Sequence, residues 1–187
     1  ATYVPQLAGA LAARGHQITI LTLSERVDHD DGHNPFTVVR LPRHIHKPLR
    51  WLRTIDQIVR LGRQVDVLFG NGLVLEAVLA NRWLRKPLVE KVAGDLAWEK
   101  ASGRGWVADK FEAFQQQRYG LKVEALKRLR SWWTRQCHRL IVPSRYLANA
   151  VRQWGIPGDK ISVIYNAPVL PSLSMGKGQG RGEGYVP

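Results

Sequence analysis

The sequence predicts an α/β fold, a parallel β-sheet with helices on both faces. Three observations lead there. Short apolar runs alternate with amphipathic helical stretches along the chain, and Gly and Pro punctuate the joints between them. The length, 187 residues, suits one such domain with a core but not two.

The elements follow in order. Val4, Leu7, Ala8 and Leu11 fall at helical spacing, and Gly15 stands where a left-handed helix stop belongs. The run 17–22 reads as a buried strand, 28–35 as a polar loop, and 37–41 as a strand ended by Pro42. Leu52, Ile55 and Val59 mark a helix face. A strand at 65–69 leads through the Gly70-Asn71-Gly72 turn into a helix at about 73–84. Another strand spans 87–92 and exits through Ala93-Gly94-Asp95. From 96 to 120 the periodicity is weak, and the segment reads as an aromatic-rich loop with a short helix over 108–117. Val123, Leu126, Leu129, Trp133 and Cys137 trace a firm amphipathic helix. The strand 138–142 leads to Ser144 as the N-cap of a helix stopped by Gly155 and Pro157, and 161–165 is the last strand.

Two features depart from a complete doubly wound sheet. The chain opens on a helix, where such sheets normally open on their central strand. It closes with a stretch, 171–187, whose glycines alternate and which offers few core-forming residues; this tail is expected to be disordered. The foldable domain is therefore read as 1–170.

Hydrophobic residues make up 44% of the chain, an ordinary share for a globular protein. No apolar run reaches the roughly 18 residues of a membrane span, and no secretory leader is visible. The absence of an initial Met suggests that the natural chain begins earlier. A single cysteine, Cys137, excludes an internal disulfide framework and fits a reducing, cytoplasmic setting. The net charge of +13 points to an anionic partner, whether nucleic acid, acidic membrane or phosphorylated substrate.

Three segments carry a family resemblance. The first is the helix–Gly–His–strand joint from Leu7 to Thr22. The second is Lys91-Val92-Ala93-Gly94-Asp95-Leu96-Ala97-Trp98-Glu99. The third combines Arg139 to Leu147 with Trp154-Gly155-Ile156-Pro157 and Lys160 to Ala167. Together they resemble the N-terminal, Rossmann-like domain of family 4 glycosyltransferases of the two-domain GT-B fold, in particular a bacterial subset with a Gly-Asp-aromatic-Ala-Trp-Glu segment. The resemblance implies a retaining enzyme that moves a sugar from a nucleotide-sugar to a saccharide or lipid-linked acceptor, peripheral to the inner membrane face. This half would form the acceptor side of the cleft. No covalent cofactor is implied, and the donor co-substrate would be held mainly by a C-terminal domain absent from this chain. The family's first strand, with its glycine-rich loop, is absent too. It would lie between the strands at 17–22 and 65–69, so both are expected to present unpaired, adhesive edges, and the chain alone is expected to be inactive. Many members carry a His at the position of Ala93; here Asp95 is the nearest ionisable candidate.

Asp95 and Glu99 leave the carboxyl end of a strand, where open α/β sheets place ligands. Asp95 is the candidate catalytic residue, accepting from or helping to deprotonate an acceptor hydroxyl; the alternative is that it caps the following turn and Glu99 is solvated. Gly94, Asp95, Trp98, Glu99 and Asn71 form the candidate acceptor-binding set, with Trp98 and Trp106 suited either to stack on a sugar or to fill a core. Ser144 is a helix cap or a cleft residue, and Asn166 a cleft or hinge residue. His16 finishes the first helix, while His44 and His46 lack partners at ligand spacing, so no metal site is expected. Basic residues cluster at 40–63, opposed by Asp56 alone, and on the later helix with Lys122, Lys127, Arg128, Arg130 and Arg135. Either these are solvated helix faces, or Arg50, Arg53, Lys127 and Arg128 face an anionic membrane, each contributing about 1 kcal/mol.

The rival reading is a basic nucleic-acid-binding domain with a Rossmann-like core. No helix-turn-helix, zinc-finger or RNA-recognition signature supports it, so no specific nucleic acid is expected. A dinucleotide oxidoreductase lacks its Gly-rich fingerprint.

Overall fold

The computed structural model describes residues 3–26 and 31–166; the Gly-rich tail lies outside the described residues. The order is α1 (Tyr3–Ala12), β1 (Thr19–Ser24), β2 (Thr37–Pro42), α2 (Lys47–Gly62), β3 (Leu68–Gly70), α3 (Val74–Leu84), β4 (Leu88–Lys91), α4 (Leu96–Gly103), α5 (Phe111–Gln116), α6 (Leu121–Gln136), β5 (Arg139–Val142), α7 (Arg145–Gln153) and β6 (Ile161–Val163). All strand pairs are parallel, in agreement with the expected α/β class.

The strands form two sheets, β1-β2 and β3-β4-β5-β6. Thus β1 and β3 share no ladder, and each has one side without a strand partner among the described residues.

Local chemistry ends the helices as expected. Gly15 takes φ 86°, and the amides of Gly15 and His16 donate to the carbonyls of Ala12 and Leu11, closing a left-handed helix stop that Cβ-bearing residues rarely tolerate. Ser144 Oγ accepts from the Leu147 amide at 3.1 Å, capping α7 as expected. Where no glycine is available, Asn81 substitutes. Its amide bonds both the N–H and the C=O of Lys86 at 2.8 Å and secures the end of α3.

One face of the four-stranded sheet presents Leu88, Leu140 and Val142 to Ile58 of α2, Val78 of α3, Trp133 of α6 and Val151 of α7, forming the main core. On the opposite face α1 brings Tyr3 against Lys91. A second, smaller core gathers Ala97 and Ala101 of α4, Phe114 of α5 and Val123 of α6. It replaces the aromatic loop expected from 96 to 107. The eight-residue helix α4 buries alanines rather than large residues, so its apolar stripe is too faint to register as a period.

The main core contains an ionisable group. Glu90 is 6% exposed, and its Oε2 accepts from the Cys137 thiol at 3.4 Å. Burial pushes its carboxyl up from 4.5 to about 7, against the pull of the Cys137 thiol. Burial, then Glu90, likewise push the thiol up. Below pH 4.5 Glu90 is protonated in both folded and unfolded chains. From there to about pH 7 the folded chain holds more protons, so stability falls as pH rises and then levels off. The loss is roughly 3 kcal/mol. Glu90→Gln should therefore flatten this slope and melt above the wild type at pH 8; parallel melting curves at pH 5 and pH 8 check it.

Candidate active site

The four strands β3 to β6 run parallel, so their carboxyl ends share one edge, and each leads into a sequence-predicted residue. β3 exits to Asn71, β4 to Gly94 and Asp95, β5 to Ser144, and β6 to Asn166. Beside that edge a cavity of about 440 Å³ opens between Leu23 at the end of β1, Lys47, Arg50 and Trp51 of α2, and Glu76 in the first turn of α3. Sequence reasoning missed this cavity, because Glu76 and Trp51 meet only through tertiary packing.

The two carboxylates of the 91–99 segment play opposite parts. Asp95 is 1% exposed and is the N-cap of α4. Its Oδ1 accepts from the amides of Ala97 at 2.9 Å and Trp98 at 3.3 Å. Its Oδ2 accepts from Gln115 Nε2 at 2.8 Å and forms an ion pair with Arg130 Nη1. Both oxygens are thus engaged within the fold, as the capping alternative describes. The expectation for Arg130 is corrected. It is 5% exposed rather than part of a solvated basic face, and its guanidinium lies 4.0 Å from the centroid of the Trp154 ring. Burial lowers the guanidinium from its ordinary value, and Asp95 opposes that.

Glu99 is the free carboxylate. It is exposed, forms no ion pair among the described residues, and folds back over Gly94, where a side-chain Cβ would collide with its Oε1. Gly94 thus leaves room for a carboxylate at the strand exit. Asn71 is also exposed, in a turn held by Gly72 at φ 128°.

The other expectations divide. Trp98 is half-buried, its indole donating to the Asp109 carbonyl at 3.1 Å and its ring meeting Phe111 edge-on at 5.7 Å; it packs the second core. Trp106 remains 41% exposed. Ser144 is engaged as a cap, and Asn166 accepts from Lys91. Among the basic residues, Lys127 is tied to the Gln117 carbonyl at 2.7 Å, to Glu124 at 3.5 Å and to the Phe114 ring at 4.4 Å, so it does not face outward. Arg50 donates to the Arg43 carbonyl at 2.6 Å and lines the cavity. Arg53 and Arg128 are exposed. The 40–63 cluster is also less one-sided than its spacing implies. Arg40 pairs with Asp31 at 2.8 Å, and Arg60 with Asp56 at 2.9 Å. Among the described residues no cluster of His, Cys, Asp or Glu is arranged to hold a metal ion, and no helix is long and apolar enough to cross a membrane.

A parallel α/β sheet with polar side chains along its carboxyl edge defines a domain of the open-sheet α/β class, whose members receive ligands at that edge. The sequence model of Glycosyltransferase Family 4 matches residues 1–167, and the chain belongs to that family. No curated protein matches the sequence significantly. Among solved structures, Arabidopsis thaliana UGT89C1 complexed with UDP-L-rhamnose is 15% identical with a TM-score of 0.52, covering 92% of this chain and 47% of its own. The same protein complexed with UDP is 16% identical with a TM-score of 0.51, covering 91% and 46%. Anabaena Alr3699/HepE in complex with UDP is 19% identical with a TM-score of 0.46, covering 72% and 31%. The chain thus spans less than half the length of these structures. The likeness to UGT89C1 is one of fold, that of GT-B glycosyltransferases.

Asp95→Ala strips Arg130 of its buried counter-charge and uncaps α4. It should cost about 3–5 kcal/mol and lower the thermal midpoint sharply, whereas Glu99→Gln should leave it unchanged; paired thermal melts read the difference.

Proposed function

We propose that this chain forms the acceptor side of a retaining glycosyltransferase, which transfers a sugar from a nucleotide-sugar to a saccharide or lipid-linked acceptor. The observation that carries this reading is the unpaired Glu99 carboxylate held over Gly94 at the carboxyl edge of the sheet. A carboxylate there accepts a hydrogen bond from an acceptor hydroxyl and orients it toward the donor, a positioning effect that lowers the entropic part of the barrier. The cavity lined by Trp51, Lys47 and Arg50 extends the acceptor platform, an aromatic face suiting a sugar ring and the cations an anionic substituent. The donor is held mainly by a companion domain of a longer polypeptide. Family membership and the UDP and UDP-L-rhamnose complexes of the GT-B neighbour support a nucleotide-sugar donor.

The test screens nucleotide-sugars with the longer polypeptide, comparing wild type, Glu99→Gln and Asp95→Asn. One donor should be turned over with its anomeric configuration retained. Glu99→Gln should raise the acceptor KM or lower kcat at least tenfold without altering the melting curve. Unchanged turnover in Glu99→Gln discards the site. Turnover of no donor, combined with steeply salt-dependent oligonucleotide binding, would favour the nucleic-acid reading instead.

The same protein works as a peripheral protein at an anionic membrane. Leu52, next to the exposed Arg53 on α2, is 62% exposed, and Trp132, one turn from the exposed Arg128 on α6, is 37% exposed. Interfacial Trp and surface cations suit the headgroup layer. Arg53→Glu with Arg128→Glu should abolish co-sedimentation with vesicles rich in phosphatidylserine, while wild-type binding falls with salt; binding unchanged by the charge reversals would refute the docking surface.

A further inference from the structure

Successive β4 side chains point to opposite faces. Glu90 enters the core with Cys137, and Lys91 faces the other way, against Tyr3. Lys91 is 7% exposed. Its ammonium carries three N–H donors. One meets Asn166 Oδ1 at 2.7 Å, and Nζ lies 2.9 Å from the centroid of the Tyr3 ring. Among the described residues no carboxylate comes within ion-pair distance of it. A buried ammonium faced by a neutral amide and an aromatic ring keeps much of its desolvation cost uncompensated. Arg130, equally buried in the same domain, has Asp95 opposite. Lys91 nevertheless lies close to solvent. It is the last residue of β4, and Asn166, exposed after β6, sits at the carboxyl edge where open sheets receive ligands.

We propose that Lys91 and Asn166, backed by the Tyr3 ring, form a seat for a phosphate group. A phosphate supplies the missing counter-charge and has several oxygens. One accepts from the Lys91 ammonium, and another from the Asn166 NH2 group, whose two donors are left over once Oδ1 has accepted from Lys91. The inference rests on the glycosyltransferase reading only for the origin of the phosphate. Free pyrophosphate and the diphosphate of a nucleotide share the recognising chemistry.

The experiment titrates the longer polypeptide that contains this chain with inorganic pyrophosphate at fixed ionic strength, followed by calorimetry, alongside Lys91→Met and Asn166→Ala. Saturable binding is expected in the wild type, weakened at least about tenfold by Lys91→Met and less by Asn166→Ala. In phosphate-free buffer Lys91→Met, relieved of an uncompensated buried charge, should melt no lower than the wild type. Equal binding by wild type and Lys91→Met overturns the proposal, as does an absence of saturable binding in the wild type. A marked fall in the melting midpoint of Lys91→Met also overturns it, by making Lys91 a structural partner of Asn166. A parallel titration with UDP separates the two readings. UDP binding tighter than pyrophosphate, and lost in Lys91→Met, assigns the seat to a nucleotide. Equal affinities support a seat for phosphate itself and count against the nucleotide-sugar reading alone.

Discussion

The edge of the sheet where the candidate residues gather depends on one buried ion pair. Asp95 caps α4 and holds Arg130 of α6 and Gln115 of α5. Gln115 Oε1 in turn accepts from the Trp154 indole at 2.9 Å, and the Trp154 ring lies against Arg130. The circuit closes on itself: acid, cation, ring and amide each bond two of the others. It joins four helical segments that have no sheet ladder to fix them and sets the angle at which α4 leaves β4. Ion pairs of this kind contribute little net stability relative to a well-packed apolar core, but removing one member leaves a charge stranded. Their value here lies in specificity. The second core is small, built around Ala97, Ala101, Val107, Phe114 and Val123, and an apolar cluster of that size could shift its helices without great penalty. Directional bonds to Asp95 leave one arrangement.

What was legible in the sequence followed from short-range rules. Strand runs, the left-handed stop at Gly15 and the cap at Ser144 depend on neighbours within a few residues; the stop and the cap appear where patterning placed them, while the strands keep their order with shifted bounds, β1 at Thr19–Ser24 against 17–22 and β3 at Leu68–Gly70 against 65–69. The parallel sheet and the family resemblance were legible for the same reason, since strand–helix alternation is local. Illegible were the features that need partners far along the chain. Arg130 lies 35 residues from Asp95 and Gln115 lies 20, so the neighbouring sequence offered the cap at Asp95 but not the partners of its second oxygen. Lys127 looked like surface charge because its acceptor, the Gln117 carbonyl, is a backbone group. Arg40 looked unopposed because Asp31 sits in the preceding loop rather than on its own strand.

The two-sheet arrangement bears on the site as well. Val67, just before β3, is 51% exposed and Phe69 within it 41%, whereas Leu68 between them packs on the main core. A parallel strand normally has both faces covered. Val67 and Phe69 mark where the sheet, within the described residues, is covered on one side only, next to the strand edge that has no partner. The cavity at the end of β1 is closed by α2 and, through Glu76, by the first turn of α3.

Asp95 and Glu99 stand one helical turn apart, and by residue type either could do the chemistry. Geometry separates them. The first residue of a helix must satisfy free amides, and a carboxylate there is drawn inward by those amides and by the partial positive charge of the helix end. One turn later the amides are already bonded within the helix, as the Glu99 amide is to the Asp95 carbonyl at 2.9 Å, so the carboxylate is released. Gly94 completes the division. It has no side chain to occupy the space above the strand exit, and Glu99 takes that space. A carboxylate that anchors a fold cannot readily also exchange protons with a substrate, since each protonation would loosen the anchor. On adjacent turns of one short helix, the buried acid fixes the helix end from which the exposed one projects.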